Sequence, residues 1–189
     1  MNGRDKVKVL IIEDNKYKLE DAILVLQKNG ITDYVHVNNY LDAVNVCFRK
    51  QRLSEFDFII LDIQFFEYRP LDRTLPDQYA GYRFLYKLAA AQSSTPVFVF
   101  SSVEDYLKEY KDFLFPSYAE YSKSYMRNSF IFSVASTIHT KYEEDKKRNQ
   151  QILEYTNFVI GHAHNKHELH NLLKNYLGSN NQNTNKEQV

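Results

Sequence analysis

Phe58-Ile59-Ile60-Leu61-Asp62 is an apolar run that ends abruptly in a carboxylate. Phe56-Asp57 leads into it, and Ile63-Gln64-Phe65 follows. An uninterrupted aliphatic stretch of this length reads as a strand covered on both faces, as in a parallel sheet held between helices. An acid at the end of such a strand lies at the carboxyl edge of the sheet, where open α/β folds gather their ligands. A strand-end aspartate also serves as a turn or helix-cap residue. The meaning of Asp62 therefore depends on what the other strands end in.

Working outward, residues 7–12 read as a buried strand that stops at Glu13-Asp14-Asn15. Residues 16–28 carry Leu19, Ala22, Ile23 and Leu26 at helical spacing, with Gly30 as the stop. A short strand at 34–37 precedes a second helix at 40–50, marked by Leu41, Val44, Cys47 and Phe48. After Asp62 comes an irregular segment with Pro70 and Pro76, then a helix at 82–91. Pro96-Val97-Phe98-Val99-Phe100 is another buried strand, ending in Ser101-Ser102. A helix at 105–114 follows it. Residues 119–122 are the expected fifth strand and 130–142 the fifth helix, with Ile131, Val134, Ala135 and Ile138 facing inward. Strands alternating with helices in this way predict an α/β fold, a doubly wound five-stranded parallel sheet with right-handed crossovers.

Beyond residue 142 the pattern changes. Residues 143–151 (EEDKKRNQQ) contain no apolar side chain, and Phe158-Val159-Ile160 is a short apolar patch. Residues 165–177 place Leu169, Leu172, Leu173, Tyr176 and Leu177 on one helical face. Asn165 with Glu168 has the form of a capping box, and Gly178 is the expected stop. The expected organisation is a domain at 1–142 with a long loop at 63–80, a helical extension at 143–178 and a disordered tail at 179–189. The 165–177 helix is expected to dock back on the domain, the alternative being that its apolar face meets a partner.

The 189 residues include 24 basic and 24 acidic ones, so net charge draws the chain neither to nucleic acid nor to an anionic membrane. A single cysteine, Cys47, excludes an internal disulfide and suits a reducing compartment. The start of the chain does not read as a signal peptide, and no stretch is long and apolar enough to span a bilayer. A cytoplasmic protein is the expectation. His162, His164, His167 and His170 match no zinc-ligand spacing.

Three of these strands end in polar side chains that would meet at one sheet edge: Glu13-Asp14, Asp62 and Ser101. Lys123 follows the expected fifth strand. Converging carboxylates raise one another's pKa unless a cation joins them. A hard divalent ion with oxygen ligands is the natural one, and Mg²⁺ combines one or two carboxylates with waters and a phosphate. A hydroxyl and an ammonium alongside complement phosphate oxygens.

In the order VLIIEDN, FIILD, PVFVFSS, EYSKS, the chain resembles the receiver domain of two-component response regulators over about residues 7–142. The resemblance implies that Asp62 is the phosphoacceptor, with Mg²⁺ held by Glu13, Asp14, Asp62 and the backbone carbonyl of Gln64. It further implies that Ser101 and Lys123 contact the phosphoryl group, with Tyr121 the nearest candidate for a switch aromatic. A phosphorylation-switched signalling protein follows, fed by a histidine kinase or phosphotransfer protein and acting through protein contacts, with homodimerisation open and no direct nucleic-acid binding. It would not be an enzyme beyond its own phosphorylation and dephosphorylation.

Departures from the family are visible in the chain. Ser124 stands where the family has proline, Glu120 stands near the usual switch aromatic, and the loop after Asp62 is long. They support an alternative, a pseudo-receiver that works as an interaction module without phosphate. A second register is also open, with residues 158–162 (FVIGH) as the fifth strand and Gly161 where the lysine belongs. Other nucleotide or phosphatase classes fit poorly. Glu13-Asp14-Asn15 replaces the glycines of a phosphate loop after the first strand, and Gln64 stands where a haloacid-dehalogenase phosphatase needs a second aspartate.

Overall fold

Alternate side chains of each strand enter opposite cores, and this organises the molecule. Leu10, Ile12, Ile59, Leu61, Val97 and Val99 point to one face, and Val9, Ile11, Phe58, Ile60, Phe98 and Phe100 to the other. Every one of these is buried. The run that seemed continuous along the sequence is thus two interleaved faces, both covered.

The computed structural model describes residues 6–68, 77–128 and 135–184. Its five strands are β1 (Lys8–Ile12), β2 (Asp33–Val37), β3 (Phe58–Leu61), β4 (Val97–Phe100) and β5 (Val159–Ala163). They form one sheet in the order β2-β1-β3-β4-β5, every pair parallel. Two helices cover one face, α1 (Lys16–Lys28) through Ala22, Val25 and Leu26, and α7 (Lys166–Thr184) through Leu169 and Leu173. The other face receives α2 (Tyr40–Val44), prolonged by a π-helical turn at Asn45–Arg49, together with α3 (Ala80–Ala90) and α4 (Tyr106–Leu114). The doubly wound parallel sheet is as the sequence predicts.

The last third differs. Residues 119–122 are not a strand: they belong to α5 (Tyr118–Asn128), which packs on α6 (Ala135–Glu154). Tyr118, Tyr121 and Tyr125 recur at helical spacing, and Tyr118 and Tyr121 both meet Tyr142 of α6 edge-on. The edge strand comes instead from the second register, as β5, paired to β4 through Phe98–Gly161, Val99–His162 and Phe100–Ala163. The expected boundary at residue 142 is therefore wrong. It would sever β5 from the sheet and α7 from the face it covers, and α5 and α6 run between α4 and β5. Of the expected fifth helix, residues 130–134 lie outside the described residues, and Ile138 is buried within α6. The charged stretch 143–151 is the interior of α6, which is anchored by Ile138 on one side and Ile152 on the other.

The 165–177 helix does dock back, as expected, but continues through Gly178 to Thr184 and so includes part of the expected disordered tail. Asn165 caps it, accepting from the N–H groups of His167 and Glu168. Tyr176 packs edge-on against Phe58 and Phe98 at 6.3 and 5.3 Å between ring centroids. Leu172 of the same helix lies over Gly161, with its Cδ2 2.9 Å from where a Cβ would stand. Among the described residues, no helix is long and apolar enough to cross a membrane.

Candidate functional site

The carboxyl ends of β1, β3 and β4 lie side by side in the sheet, so the residues that follow them share one edge. The ladder continues past the strand ends and fixes their positions. Glu13 N–H donates to Val37 O at 3.1 Å, Asp62 N–H to Ile12 O at 2.9 Å, and Ser101 N–H to Ala163 O at 3.1 Å. Backbone geometry, not side-chain attraction, sets the spacing of the three groups.

Side chains are then oriented locally. Asn15 N–H donates to Glu13 Oε1 at 2.9 Å, and Asn15 Oδ1 caps α1 by accepting from Tyr17 and Lys18 N–H. His36 Nε2 donates to the Glu13 carbonyl at 2.7 Å. Ile63 N–H donates to Asp62 Oδ1 at 2.7 Å. Gly81, on the first turn of α3, donates its N–H to Ile63 O at 2.9 Å and lies against this turn. A Cβ on Gly81 would fall 2.5 Å from Ile63 Cα and 2.9 Å from Asp62 O, so glycine is required for α3 to seat on the phosphoacceptor candidate's own backbone.

Glu13, Asp14 and Asp62 can bring one carboxylate oxygen each within 4.8 Å of one another, and no other such group of His, Cys, Asp or Glu occurs among the described residues. Glu13 and Asp62 are 2% and 3% exposed, and Ser101 beside them 1%. Glu13 Oε2, Asp14 Oδ2 and Ser101 Oγ are buried and have no hydrogen-bond partner among the described residues. Unsatisfied buried oxygens are costly and uncommon in folded proteins. Burial, followed by the charge of Asp62, raises the Glu13 carboxyl well above the ordinary range and pushes Asp14 up to about 6. Oxygen-only, anionic and preassembled, this donor set fits a hard divalent cation.

A cation from the protein already touches the cluster. Lys18 Nζ lies 3.1 Å from Asp62 Oδ1 and 3.8 Å from Glu13 Oε2, with its side chain 23% exposed. Its ammonium is 5.8 Å from the centroid of the Phe100 ring, one residue before Ser101. Reading the sequence for strand ends alone overlooks Lys18. The available signal was its place in the first turn of a helix that starts at the acidic pair.

Lys123 is not at the site. It is exposed on α5, where its charge neighbours Glu120. Tyr121, on the same helix, donates its hydroxyl proton to Asp145 Oδ2 of α6. The expected roles of both residues fall with the misplaced strand. Gln64 follows Asp62 by two residues and has an exposed side chain. After β5 the chain reads His164-Asn165-Lys166, and Lys166 Nζ is bound to Asp21 of α1 at 3.0 Å. His162, within β5, donates from Nε2 to the Ser101 carbonyl at 2.9 Å and stacks edge-on with Tyr106 at 5.0 Å. Burial lowers its pKa.

No family model matches the chain, and comparison with curated proteins finds no match. Among solved structures it is similar to receiver domains. One is that of the histidine kinase CKI1 from Arabidopsis thaliana, complexed with Mg²⁺ and BeF₃⁻, at 20% identity and a TM-score of 0.41 over 56% of this chain and 72% of that one. A second is the phosphorylated cyanobacterial phytochrome response regulator RcpA, at 18% identity and 0.41 over 78% and 94%. A response regulator receiver protein from Pseudomonas putida aligns at 20% identity and 0.39 over 56% and 76%.

Proposed function

We propose that the protein is a two-component signalling receiver in which Asp62 accepts a phosphoryl group from a histidine kinase or phosphotransfer protein. The observation that carries this reading is the convergence of Glu13, Asp14 and Asp62 within 4.8 Å at the carboxyl edge of a five-stranded parallel sheet. The buried hydroxyl of Ser101 stands beside them. In the transfer, an Asp62 carboxylate oxygen attacks phosphorus and forms an acyl phosphate as the donor's P–N bond breaks, and the histidine departs as imidazole. Glu13, Asp14, Asp62 and the Gln64 carbonyl would hold Mg²⁺, which neutralises phosphoryl oxygens when bound. Ser101 Oγ, which is buried without a hydrogen-bond partner among the described residues, would donate to one of those oxygens.

Output is through protein contacts. Added phosphate charge at a sheet edge repositions the loops around it. The apolar face of α7 is unavailable as a partner surface because Leu169 and Leu173 are fully buried. Catalysis is confined to the protein's own phosphorylation and dephosphorylation, and the compartment is the cytoplasm.

A second reading, a pseudo-receiver that signals without phosphate, is favoured by one feature: a lysine already neutralises Asp62. Incubation with Mg²⁺ and acetyl phosphate or a histidine kinase, followed by intact-mass measurement, separates the two. The receiver reading requires a gain of one phosphoryl group that is lost in Asp62→Asn. No gain from either donor leaves the pseudo-receiver.

A further inference from the structure

Among the described residues no lysine from a strand end reaches the acidic site, yet Lys18 brings a cation to it. We infer that Lys18, delivered by the first turn of α1, is the working ammonium of this site: it binds Asp62 in competition with Mg²⁺ at rest and moves to a phosphoryl oxygen once Asp62 is modified. The second half of this inference rests on the receiver reading; the first half does not.

Three observations support it. The first is geometric. Lys18 Nζ reaches Asp62 Oδ1 at 3.1 Å and Glu13 Oε2 at 3.8 Å, bridging two of the three acids that would hold a metal. An ammonium and a divalent ion that share these oxygens oppose each other, so part of the Mg²⁺ binding energy is spent in displacing the lysine. The second is elimination among the described lysines with a claim to the role. Lys123 is exposed on helix α5, and Lys166, just past β5, is held by Asp21. The third is a long reach from a fixed base. The Lys18 backbone is pinned by the Asn15 cap, while its long side chain runs beside Phe100 and remains partly exposed. A flexible stem on a rigid base suits a charge that must shift from a carboxylate oxygen to a phosphoryl oxygen beyond it.

The placement also changes what the site couples to. A lysine on β5 would tie the phosphoryl group to the β5 edge, whereas Lys18 ties it to α1. Lys166 Nζ lies 3.0 Å from Asp21 Oδ1, so α1 is in turn bound to the start of α7.

The test uses the full chain with Lys18→Met, Lys18→Gln, Lys18→Arg and Lys123→Met, each first shown to melt cooperatively. Mg²⁺ affinity is read from the metal-dependent shift in thermal unfolding, and phosphorylation by acetyl phosphate at saturating Mg²⁺ from intact mass. Removing the charge should tighten Mg²⁺ binding about tenfold, the effect of one nearby ammonium on a divalent ion in a wet cleft. It should slow phosphorylation roughly a hundredfold, as losing one charge-stabilising donor does. Lys18→Arg should keep the wild-type Mg²⁺ affinity and recover much of the rate, and Lys123→Met should match wild type in both. Unchanged Mg²⁺ affinity in Lys18→Met and Lys18→Gln overturns the resting contact. A wild-type phosphorylation rate in those variants overturns the transfer to phosphate. If wild type binds Mg²⁺ but is phosphorylated by neither acetyl phosphate nor a kinase, the receiver reading and the transfer fail together, and the affinity comparison alone decides the resting contact.

Discussion

In the absence of Mg²⁺ the folded protein should lose stability as pH rises from 5 to 8, and Mg²⁺ should restore it. Asp14 has a raised carboxyl in the folded state, from 3.8 to about 6, and Glu13 is raised as well, in both cases by burial first and by the Asp62 charge second. Between the unfolded and folded values the native protein holds more protons than the unfolded chain, so the slope of unfolding free energy against pH is negative there. The stability is present below the unfolded values, near pH 4, and is lost as pH climbs through the folded ones. For Asp14 the rise to about 6 corresponds to a ceiling of about 3 kcal/mol. Half exposure and solvent screening reduce this to about 1 kcal/mol. Glu13, far less exposed, adds to the loss over the same interval and above it. Glu55, Glu120 and Glu168 are lowered by hydrogen bonds and act in the opposite sense, but only at more acidic pH. His162, lowered by burial, also acts in the opposite sense within the window from 5 to 8, so the share of the site is the part of the pH slope that Asp62→Asn removes.

Mg²⁺ at a hundred times its dissociation constant should stabilise by about 2.7 kcal/mol. For a chain of 189 residues this is a rise in Tm of about 5–10 °C. The rise should be large at pH 8 and small at pH 5, where protonated carboxyls do not bind the ion. Thermal unfolding followed by circular dichroism at the two pH values, with EDTA or Mg²⁺, measures all four numbers. A metal-free pH slope that Asp62→Asn leaves unchanged, or a Mg²⁺ shift equal at both pH values, would refute the argument from converging carboxylates.

Asp62→Asn should flatten the pH slope of the metal-free protein, since the same charge raises both Glu13 and Asp14, and should abolish phosphorylation; the two readouts are the Tm series and intact mass. Gly81→Ala forces a Cβ against the Ile63 Cα, a conflict with backbone that no rotamer relieves. It should cost about 1–3 kcal/mol in chemical denaturation and weaken Mg²⁺ binding by displacing Asp62. Leu173→Ala, fully buried between α7 and the sheet, should cost about 2–5 kcal/mol in the same assay. A fragment ending at residue 142 should fail to give a cooperative melt, because it lacks β5 and uncovers Phe98 and Phe100.

The sequence disclosed the central strands and concealed the edge. Val9 to Ile12, Phe58 to Leu61 and Val97 to Phe100 are apolar at every position because both sheet faces are covered, and that pattern has few other readings. The acids and the serine follow from those strands by simple adjacency, so the acidic half of the site is legible in the sequence. β5 has no such signature. Being at the edge, only Ala163 of its five residues is fully buried, and Gly161 and His162 interrupt the apolar run. Its strand character comes from pairing with β4, a contact across some sixty residues that no local pattern encodes. The helices between α4 and β5 add to this, since Lys123 follows Ser101 at the spacing expected of a fifth strand, whereas the tyrosines at 118, 121 and 125 mark a helix. Lys18 is inconspicuous in the sequence for a related reason. A lysine in a first helical turn reads as a solvated surface charge, and its distinction lies only in the burial of the two carboxylates beneath it. The site's negative charge is written in strand ends, whereas its positive charge depends on which helix happens to start there.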